Sequence, residues 1–252
     1  MVSMAVPDAV RVLERDLRGI FGSRLRSLAI YGPHGDAHGA HGAGHGRAAR
    51  SIATLALVES MTLDDLRSAA RRIEAWHDAG LATPLIVPTG ELERSLDVFP
   101  LELSAILADH VVVFGDDRLA SLVVDPADVR RACEVQARSH LLHLREGFLE
   151  TRGRADALSV LILQSAPAFA ALVSSLARLD RQKPADVAAA ARHVERMLGA
   201  AGVDAATNGV TSEVVKLVHA RDLASADAER LFAPYIAIVE KLVNYVDGWS
   251  RR

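Results

Sequence analysis

Four of the ten histidines, His34, His38, His41 and His45, fall within twelve residues, in the stretch Pro33-His34-Gly35-Asp36-Ala37-His38-Gly39-Ala40-His41-Gly42-Ala43-Gly44-His45-Gly46. Imidazole is a common ligand for Zn²⁺, Ni²⁺ or Cu²⁺, and Asp36 could add an oxygen. Spacings of four, three and four would align the rings on one side of a helix. Gly35, Gly39, Gly42 and Gly44 oppose that helix, each costing about 1 kcal/mol relative to alanine. The stretch therefore reads as a loop that has ligands but lacks the supporting contacts that fix them, and weak metal binding is expected. Cys133, beside Ala132 and near Val135 on a helical pattern, reads as a buried apolar side chain. His140 and His143 have no evident acid–base partner in the pattern and read as surface residues. No nucleophile elbow, phosphate-binding glycine loop or paired-cysteine zinc motif is present.

Bulk composition narrows the classes. Half the residues are hydrophobic and 24% charged, an ordinary globular balance. Basic residues number 29 against 32 acidic, a formal net charge of −3, which argues against a dedicated nucleic-acid binder. One cysteine cannot form an internal disulfide, so a reducing, cytoplasmic setting is expected. Met1 to Arg11 shows no secretory signal pattern. Ala157 to Ala177 has no charged residue and approaches membrane-spanning length. It carries Ser159, Gln164, Ser165, Pro167, Ser174 and Ser175, however, and both flanks are basic, so it reads as the central helix of a bundle and no membrane partner is expected.

The elements that must position these residues change character along the chain. Asp8 to Gly22 has Val10, Leu13, Leu17 and Ile20 at helical spacing. Leu25 to Tyr31 reads as a strand running into Gly32-Pro33, and Ile52 to Val58 as a second. Thr62 to Gly80 is predicted as one helix with Thr62 as its cap. Pro84 to Pro88 is a short strand, Gly90 to Leu96 a helical turn, Val98 to Leu107 an alternating strand, and Val111 to Phe114 another apolar run. From Asp125-Pro126 onward only helical patterns appear, to about Glu150, then Ala155–Leu179, Pro184–Ala200, Thr211–Leu217 and Ala226–Trp249. The sequence predicts an α+β domain over 1–124 and a C-terminal helical domain over 125–252.

The opening order, helix, strand, Tyr31-Gly32, loop, apolar strand, resembles that of the minimal and aminoglycoside nucleotidyltransferases. In that family the first strand ends in Gly-Ser, and an Asp-x-Asp at the start of the next strand, with a third carboxylate from a later strand, holds two Mg²⁺ ions. Two metals clamp the triphosphate through an in-line displacement. Here Gly32 is in place, implying a nucleotide-binding position with Arg47 and Arg50 nearby. The serine is Pro33, which has no N–H to offer a phosphate. The Asp-x-Asp place falls on Ile52-Ala53-Thr54, without a carboxylate. Pro100-Leu101-Glu102 resembles the Pro-Leu-Glu strand of the streptomycin-type adenylyltransferases, which would make Glu102 the third acid.

Three functions are compatible with these residues. The first is a nucleotidyltransferase-like protein, catalytically degenerate, that binds a nucleotide or a protein partner. The second is an active enzyme that modifies a small hydroxylated acceptor with a rearranged set such as Asp36, Asp97 and Glu102. Mg²⁺ and a nucleoside triphosphate would be its cofactors. The third is a helical interaction module without a ligand. The uncharged 157–177 helix and the row Tyr235, Ile238, Leu242, Tyr245 and Trp249 must be covered, by a homodimer or by close packing of the helical half on the first domain.

Overall fold

A computed structural model describes residues 6–32, 51–182, 184–200, 207 and 209–249. The chain divides into two compact units, Met1–Asp125 and Pro126–Arg252. The first is an α+β arrangement and the second a helical bundle.

The first unit opens with α1 (Asp8–Phe21), whose Val10, Leu13, Leu17 and Phe21 recur every three or four residues and are all buried. A short 3₁₀ turn over Gly22–Arg24 leads into β1 (Leu25–Tyr31), and β2 follows at Ala53–Val58. Next come α2 (Leu63–Ala70), α3 (Ile73–Asp78), β3 (Leu85–Pro88), α4 (Thr89–Arg94), α5 (Pro100–Ala108) and β4 (His110–Gly115). The four strands form one sheet in the order β3-β2-β1-β4. β1 runs antiparallel to both β2 and β4, while β2 and β3 are parallel. Leu28 faces Ala56 and Ile30 faces Thr54 across β1 and β2. Leu28, Ile30, Ala56 and Val58 share one cluster with the buried side of α1, so that side of the sheet lies under α1. Burying a leucine of this kind contributes about 1.5–3 kcal/mol.

Two sequence predictions need correction here. The 62–80 helix is broken at Arg71-Arg72 into α2 and α3. The change of direction turns Trp76 inward, where it is buried and its indole N–H donates to Asp16 at 2.9 Å; Arg72 pairs with the same carboxylate at 3.1 Å. The segment 98–107 is not a strand. Pro100 occupies the first turn of α5, a position that needs no amide hydrogen, and the buried Pro100, Leu103 and Ile106 follow at three-residue spacing. Helical spacing prevails over the apparent alternation.

Thr62 caps α2 as expected, inside a reciprocal capping box with Asp65. Arg24 donates to both oxygens of Asp65, at 2.7 and 2.8 Å, joining the entry of β1 to the start of α2. The hydrogen bond from Arg24, reinforced by Thr62, holds the Asp65 carboxyl well below the usual carboxylate range against the opposing effect of burial. Gly115 closes β4 at φ +76°, and a Cβ there would sit 2.0 Å from the Arg26 carbonyl oxygen.

The second unit contains α6 (Pro126–Thr151), α7 (Ala155–Leu179), α8 (Val187–Ala200), α9 (Val210–Lys216) and α10 (Ser225–Asp247). No strand occurs beyond β4 among the described residues. α7 packs against α6, α8, α9 and α10. It is the one described helix long and apolar enough to cross a membrane, and half of its most apolar stretch is buried inside the chain. Its Ser159, Ser174 and Ser175 hydroxyls donate to carbonyls one turn back, which removes the cost of burying them. Tyr235, Ile238 and Leu242 of α10 are buried, and Tyr245 and Trp249 are half-buried. That cover includes α6, α7 and α9 of the same unit.

Candidate functional site

Gly32 stands at the end of β1 with φ +79°, a conformation that favours glycine, and its N–H donates to the Asp109 carbonyl at 3.0 Å. Beside it, β2 begins. The Ile52 N–H donates to the Gly80 carbonyl and its own carbonyl accepts from Ala82, each at 2.9 Å, so the chain start of β2 is pinned to the turn after α3. Register decides which face each side chain takes. Thr54 lies opposite Ile30, Ala56 lies opposite Leu28, and Ala56 is also the partner of Ile86 on β3. Alternation then puts Ile52, Thr54 and Ile86 on one face, the face under α1.

This juxtaposition bears on the Asp-x-Asp place and on the strand next to it. The parallel neighbour of β2 is β3, which is entered by Pro84-Leu85-Ile86. Pro100-Leu101-Glu102, which resembles the family's Pro-Leu-Glu strand, lies instead in the first turn of helix α5, where Glu102 is exposed. The helix therefore removes Glu102 from the strand position the resemblance implied, and the Pro-Leu pair that does enter a strand is followed by isoleucine. Thr54 is fully buried, and its hydroxyl oxygen has no hydrogen-bond partner among the described residues. Ile52 and Ile86 are half-buried and pack against the same apolar cluster. Asp97 is exposed in the turn between α4 and α5. Among the described residues no three His, Cys, Asp or Glu side chains gather where they could hold a metal ion. His34, Asp36, His38, His41, His45, Arg47 and Arg50 lie outside the described residues, as does Pro33.

A polar pair that sequence reasoning missed sits near Gly32. Tyr31, whose phenol pKa burial raises, lies opposite His110 at the start of β4. His110 has Nδ1 3.2 Å from the Leu107 carbonyl and Nε2 3.2 Å from Asp117 Oδ1. The same Asp117 oxygen accepts the amides of Leu119 and Ala120 at 3.1 and 3.0 Å. Burial works to raise the Asp117 pKa, but these bonds outweigh it and lower the value overall. The pair fastens the segment after β4 back onto the strand's beginning. Nothing in the local sequence pattern marks it, because the two residues are joined only once β4 has formed.

In the helical unit, Cys133 is buried as expected, and burial pushes its thiol up to about 12. The surface placement of His140 is corrected. It is buried, with Nε2 2.7 Å from the Tyr235 hydroxyl oxygen, and burial lowers its pKa to about 4. His143 is exposed and faces Glu146 at 3.3 Å.

The frame built here is that of the nucleotidyltransferase fold. A solved structure with the same fold is the spectinomycin adenyltransferase AAD(9) from Enterococcus faecialis, crystallised with ATP and spectinomycin. The match has a TM-score of 0.55 at 10% identity and covers 95% of this chain and 98% of that one. No protein-family model and no curated protein sequence matches this chain.

Proposed function

We propose that this protein is a nucleotidyltransferase-fold binding protein that has lost two-metal transfer chemistry. The observation that carries the reading is the shared face of Ile52 and Thr54, where the family resemblance calls for the Asp-x-Asp carboxylates and Ile86 of the neighbouring strand adds only apolar surface. Phosphoryl-type transfer relies on positioning and on neutralising the charge of the leaving pyrophosphate. Mg²⁺ needs several oxygen ligands to do this, and two isoleucines and a buried threonine offer a cation no charge. Glu102 and Asp97, both exposed on the α4–α5 side of the unit, are poor substitutes for acids fixed on strands. The adenyltransferase of similar fold was crystallised with ATP and spectinomycin, so these are the first ligands to try.

The test has two arms. Calorimetric titration of ATP, with and without Mg²⁺, reads binding. Transfer of radiolabelled nucleotide to spectinomycin, to other small hydroxylated acceptors and to the protein itself reads chemistry, with Glu102→Ala as control. Binding of ATP without transfer is the expected result. Transfer that depends on both Mg²⁺ and Glu102 would refute the reading and establish an enzyme with a rearranged carboxylate set.

A further inference from the structure

Among the described residues β4 lies at one edge of the sheet and is bonded to β1 on one side only. Between His110 and Gly115 it reads Val111-Val112-Val113-Phe114, without the lysine, proline or inward charge that usually guards an exposed edge. Val111 is 43% exposed. Alongside runs α1, whose Arg11, Arg15 and Arg18 follow at four- and three-residue spacing and are all exposed. Such spacing puts them on one side of the helix. Together with Val6, Glu14 and Val113 they line an open groove of about 470 Å³. The Arg18 guanidinium stands 4.2 Å over the Phe114 ring, so the basic row reaches the strand itself. Glu14 answers Arg18 at 2.8 Å. Among the described residues neither Arg11 nor Arg15 has an ion-pair partner.

We propose that the β4 edge and the arginine row of α1 form a docking site for an acidic, extended segment of a partner protein. The segment would add to the four-stranded sheet beyond β4. Strand addition draws affinity from main-chain hydrogen bonds and specificity from alternate side chains. Here one set of side chains would rest on Val113 and Phe114, and acidic ones would meet Arg11 and Arg15. Charge complementarity selects this occupant. A second copy pairing through its own β4, His110–Gly115, would bring valines and phenylalanine to the groove, and its nearest acids, Asp109 and Asp116, lie outside the paired strand. The site uses none of Ile52, Thr54 or Ile86, so it stands or falls independently of the nucleotide reading.

The test uses the full chain and a short fluorescein-labelled peptide of alternating glutamate and valine, followed by fluorescence anisotropy. Binding is expected, with amide NMR shifts concentrated at Val111–Phe114. Arg11→Glu with Arg15→Glu should weaken it about tenfold or more and create binding of the matching lysine–valine peptide. Val111→Lys, a charge placed on an already exposed edge position, should weaken binding of both peptides to their respective proteins. Circular dichroism checks that each variant stays folded. Absence of binding, or binding indifferent to the charge reversal, overturns the proposal. So does a single-stranded oligonucleotide that binds as tightly as the peptide and is unaffected by Val111→Lys, because that marks a general polyanion surface.

Discussion

His140 of α6 and Tyr235 of α10, 95 residues apart, meet inside the helical unit with 2.7 Å between Nε2 and the phenol oxygen. Ser165 of α7 is 3.1 Å from the same phenol oxygen. The Phe169 ring is stacked on His140 at 5.8 Å and meets Tyr235 edge-on at 5.0 Å. Three helices are thus joined by one polar knot in an apolar interior. Tyr235→Phe keeps the shape and leaves His140 without its partner. The expected cost is about 1–3 kcal/mol, read as a lower urea midpoint with an unchanged denaturant slope. A variant as stable as the parent would show that the knot contributes nothing.

The same histidine makes stability depend on pH. Burial lowers its pKa from 6.5 to about 4 in the folded chain. Between those values the unfolded chain binds a proton that the folded chain refuses, so stability is fully present above about pH 7 and falls as pH drops toward 4. The whole effect is roughly 3 kcal/mol. His140→Gln, which can still bond to Tyr235, should flatten that slope. Equal slopes for parent and variant would rule out His140 as its source.

How far the sequence could be read depends on the range over which each signal acts. α6, α7 and α10 were legible because long amphipathic or apolar patterns bounded by Asp125-Pro126 and Arg152-Gly153 leave little alternative. α5 was not, since Val98 to Leu107 fits both periodicities and only its packing decides. The break at Arg71-Arg72 has no glycine or proline to announce it; it follows from Trp76 reaching Asp16, 60 residues away. At the candidate site, the glycine that ends β1 and the lack of any acid in Ile52-Ala53-Thr54 were legible from local order. The place of Ile86 was not, because it depends on β3 pairing with β2, and neither was the burial of His140.

Thr62 and Asp65 give a local test. Thr62→Ala removes the side chain that accepts the Asp65 amide at 3.2 Å. It should cost about 1 kcal/mol, as capping threonines commonly do. The Asp65 carboxyl is held below its ordinary value chiefly by Arg24. Its contribution is therefore present above the unfolded value of 3.8 and lost as pH falls below it. Asp65→Asn should remove that acid-side loss in urea titrations and lower stability at neutral pH. A variant that matches the parent at neutral pH would mean the Arg24 pair is energetically idle.

Thr54 supplies the sharpest test of the proposed loss of the metal site. It is fully buried on the face under α1, and its hydroxyl lacks a hydrogen-bond partner among the described residues. A buried, unbonded hydroxyl costs free energy that an isosteric methyl does not. Thr54→Val should therefore be neutral or stabilising by up to about 1–2 kcal/mol, whereas an exposed catalytic position would not respond in this way. Thr54→Asp is the opposite case. An ionised carboxylate there would be fully buried beside an apolar cluster, so the loss should reach about 3 kcal/mol or more. Introducing Ile52→Asp together with Thr54→Asp should then lower stability without producing Mg²⁺-dependent transfer from ATP. Mg²⁺ would have to restore both the thermal midpoint and nucleotide transfer in the double variant for the site to count as intact apart from its acids. Urea midpoints for the single variants, followed by the double variant with and without Mg²⁺, separate the two cases. If Thr54→Val destabilises by more than 1 kcal/mol while Thr54→Asp folds normally, the face is an open site and not a core, and the proposed loss of function must be abandoned.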